Sequence, residues 1–585
     1  MNFEVKYKHK KESVIKMRQI PYGQINFESI IKDNCIYVDK TQYIEKLESS
    51  PNLKTTFYLR PGRFGKSLFI SMLNYYYAID RTEKFEELFE NLYIGKHPTE
   101  NKNKYYILKL DFSGLDVDSE TSLEYMKEIF NKKVILGIND FENRYQIQVN
   151  YEDSISPAET IGKLFVEFRK QKPNEKIYIL IDEYDNFTNG ILKGNAENFV
   201  SIVSGEGFVK GFYATIKENI GLGTVERFFA TGIAPVTLDS MTTGFNIATD
   251  ITRNPLFTSM IGFTEQEVKG IIKEVLPEKT EKEQQEIYEI MKKYYDGYRF
   301  SELNEEHTFN STLVMYYLNN YVQTGITPTQ LLDMNIAANF TKLGNLLTLK
   351  GNSASKEILT KAIQNQPLKG TIINKFELAE MPVEEQVIQS LLFYFGYLTI
   401  GENITNTIIK YKIPNQVMSG IYNEYFLYLI QKSGVEINVT KIQEAALELA
   451  FEGKINKICN IVEEYLSYVG NISWQRYDEK YVQSYMHAIL GLNDMFNVYL
   501  EYNVQHNRYI DIAVFKRENS GIKYQAIIEL KYIKKEEAKT EESKQKEIER
   551  KRNEALEEIQ AYSQDTRLPK ENMKKFIVIY VGEKL

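Results

Sequence analysis

Cysteine is nearly absent: Cys35 and Cys459 are the only two in 585 residues. They lie far apart, show no metal-binding spacing and support no disulfide framework, a usage that suits a reducing compartment. Long apolar runs are missing too, and no stretch reaches the roughly 18 residues that a membrane span requires. The N-terminus, MNFEVKYKHKKESVIKMRQI, is basic but has neither a continuous apolar segment nor a small-residue cleavage site, so it does not read as a signal peptide. These absences lead us to expect a cytoplasmic protein (or a nuclear one, in a eukaryotic source) with no membrane partner. Excess positive charge is also lacking. A net charge of −8 excludes a uniformly basic nucleic-acid coat but leaves a local basic cleft open, because binding depends on the local field. One tryptophan against 42 tyrosines, with abundant Asn, Ile and Lys, reads as coding bias and says nothing of function.

What is present is an ordinary globular composition, 43% hydrophobic and 26% charged, with length for about three domains. Residues 1–260 alternate strand-like and helix-like patterns, with strands expected at Thr55–Leu59, Tyr105–Asp111, Ile177–Ile181 and Arg227–Thr231. Such alternation predicts an α/β domain with a parallel sheet covered by helices. Residues 261–335 read as a helical lid and residues 336–473 as a mostly helical middle region, interrupted by loops at Gly351–Ser355 and Asn403–Asn406. From 474 to 585 the pattern changes. A helix (Tyr477–Leu492), strands at Phe496–Val504, Tyr509–Phe515 and Tyr524–Lys531, a charged helix (Glu536–Tyr562) and a last strand (Phe576–Val581) give an α-β-β-β-α-β order.

Two segments in the first part answer each other. TTFYLRPGRFGKSL (Thr55–Leu68) carries a glycine-bearing turn, and KIYILIDEYD (Lys176–Asp185) ends an apolar strand in two carboxylates about 110 residues later. A phosphate-wrapping P-loop needs small residues so that N–H groups can face the anion, a lysine for the β/γ oxygens and a hydroxyl on Mg²⁺. Gly62 and Gly65 supply the freedom, Lys66 the charge and Ser67 the hydroxyl. The GxxxxGK[ST] pattern is broken at Arg60, which stands where its first glycine belongs. Asp182 would hold Mg²⁺, and Glu183 would polarise an attacking water. Thr231 would sense the γ-phosphate or simply end a strand. Arg60 and Arg63 would face the phosphates or cap the loop.

In chain order, IPYGQINFESI, YVDKT (Tyr37–Thr41), RPGRFGKSL, LIDEYDN, ATGIAPVTLDSMTTGFNIATDI, GFTEQEV and YYDGYRF resemble the AAA-ATPase-like family, whose members often end in a nuclease-superfamily domain. The likeness covers residues 19 to 320. It implies an ATP-binding fold akin to the signal-transducing P-loop NTPases, with ATP and Mg²⁺ as cofactors. It also implies that Asp39 and Lys40 border the nucleotide, and that Arg299 reaches it as a sensor or is a plain surface residue. The family usually has Arg where this chain has Gly62, which bears on hydrolysis more than on binding.

A second constellation lies downstream. Glu529 and Lys531 are two apart on one strand and so share a face, and Asp511 on the preceding strand joins them if the strands pair. Two carboxylates hold Mg²⁺ at a phosphodiester, and a nearby lysine orients water and offsets developing charge. This is the logic of the PD-(D/E)xK nuclease superfamily, whose restriction-endonuclease-like core has the same element order. The resemblance places a Glu before a Tyr-His pair on the first helix. Here SYMHAIL puts Gln483 there, followed by His487; Glu479, one turn earlier, is a substitute ligand or a solvated residue. Glu501 is a further acidic candidate, and a usual Gln on the later helix falls on Glu558, near Gln560 and Tyr562. Lys531, Lys534 and Lys535, with Lys544, Lys546, Arg550, Lys551 and Arg552, form a basic patch or a solvated charged helix.

The expectation is an ATP-binding, hydrolysing switch fused to a metal-dependent nuclease. Its partner would be nucleic acid, DNA before RNA, and homo-oligomerisation stays open. The alternatives are a non-catalytic ATP-binding regulator and an ATP-driven remodeller.

Overall fold

Thr55–Leu59 is a run of five β-forming residues, all buried, and it forms β1, an interior strand of a parallel sheet. The computed structural model describes residues 18–115, 122–151, 156–186, 207–235, 247–328, 330–332, 343–344, 347, 358–359, 361–362, 366–374, 385–432, 436–469, 479–493, 495–504, 508–517 and 520–581. The loop expected at Gly351–Ser355 and the whole of VTLDSMTTGFN fall outside them. The other strands are β2 (Tyr106–Asp111), β3 (Ile177–Asp182), β4 (Val225–Gly232) and the two-residue β5 (Thr249–Asp250), in the order β2-β3-β4-β1-β5. Every pairing is parallel. The carboxyl ends of β1, β3 and β4 therefore share one edge, where open α/β sheets bind ligands. Helices α1 (Lys66–Tyr77), α2 (Leu123–Tyr145), α3 (Pro157–Gln171) and α4 (Phe208–Gly221) cover the sheet. Ser122 and Ser156 cap α2 and α3 by accepting backbone N–H bonds, and Pro157 fits the first turn of α3.

Three helices follow: α5 (Glu265–Val275), α6 (Glu281–Tyr295) and α7 (Ser311–Thr324). Thr264 with Glu267, and Thr280 with Glu283, form capping boxes that start α5 and α6. The next segment holds α8 (Glu385–Tyr394), α9 (Gln416–Lys432), α10 (Val439–Glu452) and α11 (Asn456–Val469). It also contains a small antiparallel sheet, β6 (Leu368–Gly370), β7 (Thr399–Asn403) and β8 (Ile409–Lys412), in the order β6-β8-β7. Helical periodicity gave no sign of that sheet, because its strands are three to five residues long.

The last segment runs α12 (Glu479–Gly491), β9 (Phe496–Val504), β10 (Arg508–Lys516), β11 (Gln525–Ile533), α13 (Glu541–Tyr562) and β12 (Met573–Val581). This is the α-β-β-β-α-β order. Strands β9, β10 and β11 pair antiparallel, and β12 lies parallel to β11. Val482, Tyr485, Met486, Ile489 and Leu490 make the buried face of α12. Helix α13 starts at Glu541 rather than Glu536 because the Thr540 side chain caps it. No helix among the described residues is long and apolar enough to cross a membrane.

Candidate functional site

After β1 the chain turns through Arg63 and Gly65, both left-handed at φ +67° and +102°, and enters α1 at Lys66. Arg63 adopts a conformation that non-glycine residues rarely take, a strain found at functional loops. Lys66 is buried, and its Nζ donates to the carbonyls of Arg60 and Pro61, 2.9 Å from each. Across the sheet edge stands Asp182, 3% exposed, with one buried carboxylate oxygen that has no hydrogen-bond partner. Burial pushes its carboxyl up, opposed by a hydrogen bond from Ser67 and by the charge of Lys66. Glu183 follows at φ +51°, and burial raises its carboxyl as well. Asp185 is fully buried and accepts N–H bonds from Ile233 and Ala234 (3.0 and 2.8 Å), which pins the turn after β4.

Arg63, Gly65, Lys66, Ser67 and Glu183 line a cavity of about 520 Å³. Its lining is polar at Gly62, Gly65, Lys66, Ser67, Glu183 and Asn186 and apolar at Ile25, Ile36, Val38, Met260, Phe263 and Met315. The lining thus sets the start of a helix, where backbone N–H groups are free, beside apolar side chains.

The second cluster forms on the C-terminal sheet. Asp511 stands one step beyond the Ile512–Ile528 pair, so it faces Glu529, and its Oδ2 accepts the Leu530 N–H at 2.7 Å. Lys531 Nζ bridges Glu529 (2.8 Å) and Glu558 on α13 (2.6 Å). Glu529 is 3% exposed, its second oxygen is buried and meets no N–H or O–H donor, and its carboxyl lies within hydrogen-bond reach of Glu558. Burial raises the carboxyls of both Asp511, to about 6, and Glu529. Gln483 donates its amide to the Asp511 carbonyl at 2.7 Å and to Glu501 at 3.4 Å. Among the described residues no three His, Cys, Asp or Glu side chains are placed to hold a metal ion. A two-carboxylate site completes magnesium coordination with water and substrate oxygens.

Residues 21–242 match the family model described as a predicted AAA-ATPase, and residues 477–585 match the PD-(D/E)XK nuclease superfamily. The chain joins an AAA-ATPase-like domain to a PD-(D/E)XK nuclease superfamily domain. It is also similar to a protein of Azotobacter chroococcum mcd 1 described as an uncharacterized protein in the vnfD 5' region. The two are 23% identical over 450 residues, 74% of this chain and 75% of the relative.

In the AAA-ATPase-like domain the cavity gathers Lys40, Gly62, Arg63, Gly65, Lys66, Ser67 and Glu183, and Asp182 stands behind Ser67. Lys40 reaches that wall with its ammonium already engaged by the Ser259 carbonyl and the Glu267 carboxylate. Asp39 turns elsewhere, bracing the N–H groups of Thr41 and Tyr93. Thr231 is fully buried, with its hydroxyl spent on the Tyr58 carbonyl. Arg60 caps rather than binds: its guanidinium sits between the rings of Tyr58 and Phe300 and donates to the carbonyls of Leu59, Thr252 and Thr258. Arg299 is neither at the cavity nor on the surface. It is buried, and it ties the loop at Ser301–Asn304 to Asn403 at the end of β7.

In the nuclease-superfamily domain, Asp511, Glu529 and Lys531 converge, and Glu558 joins them. His487 is a core histidine: burial holds it neutral, pushed down to about 4, and it pairs with Asn423. Helix α13 neutralises much of its own positive charge through Arg550 with Glu547 and Glu554, and Lys551 with Glu554. Sequence reasoning missed Asp185 and the Pro21–Val38 wall. Asp185 sits in the quoted LIDEYD, but its partners lie 48 residues away.

Proposed function

We propose that this protein is an ATP-binding and ATP-hydrolysing switch whose C-terminal domain cleaves nucleic acid, DNA before RNA, with a divalent metal ion. The observation that carries this reading is the pair of orphaned, buried carboxylate oxygens, one on Asp182 and one on Glu529. A buried carboxylate oxygen without a donor is costly, and protonation or a bound cation relieves that cost. The donor sets fit Mg²⁺, which prefers oxygen ligands and keeps several waters. In the first site Lys66 and the loop N–H groups would bind the phosphates, and Ser67 and Asp182 would hold the cation. Glu183, its carboxyl raised by burial toward the working pH of a base, would take the proton of the attacking water. In the second site Asp511 and Glu529 would hold a cation, which supplies Lewis-acid stabilisation of the phosphodiester oxygens. Lys531 would offer its ammonium to the same oxygens.

A second reading, a non-catalytic ATP-binding regulator, draws support from one feature. The amide of Gln483 occupies the ground between Glu501 and Asp511 as a neutral hydrogen-bond donor, so it adds no third carboxylate. The deciding experiment is cleavage of a DNA and RNA panel with Mg²⁺ or Mn²⁺, with and without ATP, using Glu529→Ala as control. Metal-dependent cutting that the variant loses supports the nuclease, and an ATP effect supports the switch. Absence of cutting under all conditions, with ATP still bound, favours the regulator.

A further inference from the structure

A second cavity, of about 410 Å³, lies where the small β6-β8-β7 sheet faces the nuclease-superfamily domain. One wall is Leu368, Lys410 and Lys412 from β6 and β8, and the other is Lys480, Glu501 and Tyr509. Three lysines against Glu402 and Glu501 make this lining net positive in a chain of net charge −8. Lys410 is met by Glu402 at 3.4 Å, whereas among the described residues Lys412 and Lys480 form no ion pair.

The cavity opens directly beside the carboxylate cluster. The pairs Ile510–Tyr502 and Ile512–Leu500 flank Asp511 and Glu501, which therefore stand at facing positions on β10 and β9. Glu501, Asp511 and Glu529 thus form a row across three strands, and Glu501 is the member that also lines the cavity. Glu501 is held at φ +47°, a conformation that costs free energy for a non-glycine residue and clusters at functional sites. Tyr509, two residues before Asp511 on β10, lines the same cavity as Glu501. It is a large ring left 47% exposed at the mouth of the cavity.

We propose that this cleft is the entry track for a single strand of nucleic acid, with Lys410, Lys412 and Lys480 on its phosphates and Tyr509 stacked on a base at its mouth. The proposal rests on the nuclease reading and adds the substrate form. Sequence-independent single-strand sites combine a basic groove with aromatic platforms in this way. The volume falls in the range that holds one small ligand, which fits a nucleotide unit of a strand and not the cross-section of a duplex. The track is completed by the small sheet, so the nuclease-superfamily domain supplies only one of its walls.

The test is fluorescence anisotropy of labelled single-stranded DNA, single-stranded RNA and duplex DNA with the full chain in EDTA, across a salt series. Wild type is expected to bind a single strand more tightly than duplex. Lys410→Ala with Lys480→Ala should weaken single-strand binding about tenfold or more and flatten the salt slope by roughly one to two. Tyr509→Ala, at an exposed position, should weaken it about tenfold while Tyr509→Phe keeps it. The charge-matched pair Lys282→Ala with Lys441→Ala, on exposed helix faces, should leave it unchanged. Variants that melt as wild type does and still bind with its affinity overturn the track, as does equal preference for duplex. Single-strand binding that depends on these residues, in a protein that never cuts, sustains the track and overturns the nuclease reading alone.

Discussion

Asp511→Asn should make the metal-free protein more stable at neutral pH, although it removes a residue proposed to hold the cation. In the folded state the Asp511 carboxyl is raised from 3.8 to about 6, because burial penalises its charge and Glu479 and Glu501 oppose it. The unfolded chain therefore loses this proton first, and stability falls as pH rises from about 4 to about 6. A shift of about two units corresponds to about 3 kcal/mol, reached above pH 6 and absent below pH 4. An asparagine keeps the acceptor for the Leu530 N–H and carries no charge, so it escapes that cost. Relief of Glu529, whose carboxyl Asp511 also raises, acts in the same direction. The assay is differential scanning calorimetry in EDTA at pH 4 and pH 8. The two proteins should coincide at the lower pH, and the variant's C-terminal transition should lie on the order of 10 °C higher at pH 8. Excess Mn²⁺ should then stabilise wild type by about 2.7 kcal/mol at a hundredfold its dissociation constant, and the variant far less. A variant equally destabilised at both pH values would refute the electrostatic reasoning.

Three further outcomes follow from named contacts. Lys66→Ala should lower ATP affinity about a hundredfold or more, since two charge-assisted bonds of about 1.5–3 kcal/mol each are lost; titration with a fluorescent ATP analogue measures it, and unchanged affinity counts against the phosphate role. Gly232→Ala should cost on the order of 3 kcal/mol and weaken ATP binding together, read as a lower melting temperature, because a Cβ there would meet Asp185 Oδ1 at 2.3 Å and the Tyr184 ring at 2.5 Å. Phe64→Leu removes ring contacts to Tyr298 and Phe300, each worth about 1 kcal/mol, at nearly constant volume. ATP binding should stay within a few-fold while any effect of ATP on cleavage shrinks, and an ATP effect of wild-type size speaks against the lid as its carrier.

Local pattern made β1, β3 and the C-terminal strands readable, because buried parallel strands are continuous apolar runs and the nuclease-type strands carry alternating faces. The convergence of Asp511, Glu529 and Lys531 was readable for the same reason: a period of two and one antiparallel pairing determine it. What escaped depends on distance along the chain. Lys40 finds Glu267 across 227 residues and Arg299 finds Asn403 across 104, and no local pattern encodes either meeting. Arg60 left two readings open, phosphate contact or capping of the loop. Its place in the loop suggests phosphate, but Tyr58, two residues before it, and Phe300, far along the chain, offer ring faces that draw the guanidinium into the core. Short strands such as β5, β6 and β8 carry too few residues to show a period.

The contacts around the P-loop indicate where nucleotide state would be converted into movement. The Ser311 and Thr312 hydroxyls donate to the carbonyls of Phe64 and Arg63 at 2.7 Å, so the start of α7 is bonded to the loop. Phe64 sits edge-on to Tyr298, and Pro61 lies so close to Gly396 that a Cβ there would stand 2.9 Å from its ring. From the same lid segment the Tyr294 hydroxyl reaches Asn497 on β9, and Lys293 lies 4.8 Å over the Tyr499 ring. The path is therefore continuous from the loop to the strand that bears Glu501. Contiguity alone does not couple two sites; an element with two arrangements is needed. Lys66 is suited to that role, since two of its N–H donors hold the Arg60 and Pro61 carbonyls. An ammonium–phosphate bond carries charge on both partners, whereas the bonds to these carbonyls carry it on the donor alone. A nucleotide that drew the ammonium away would release the Arg60–Pro61 peptide, and that peptide is the part of the loop wedged against Gly396. The sheet can stay rigid while the lid and the small sheet shift.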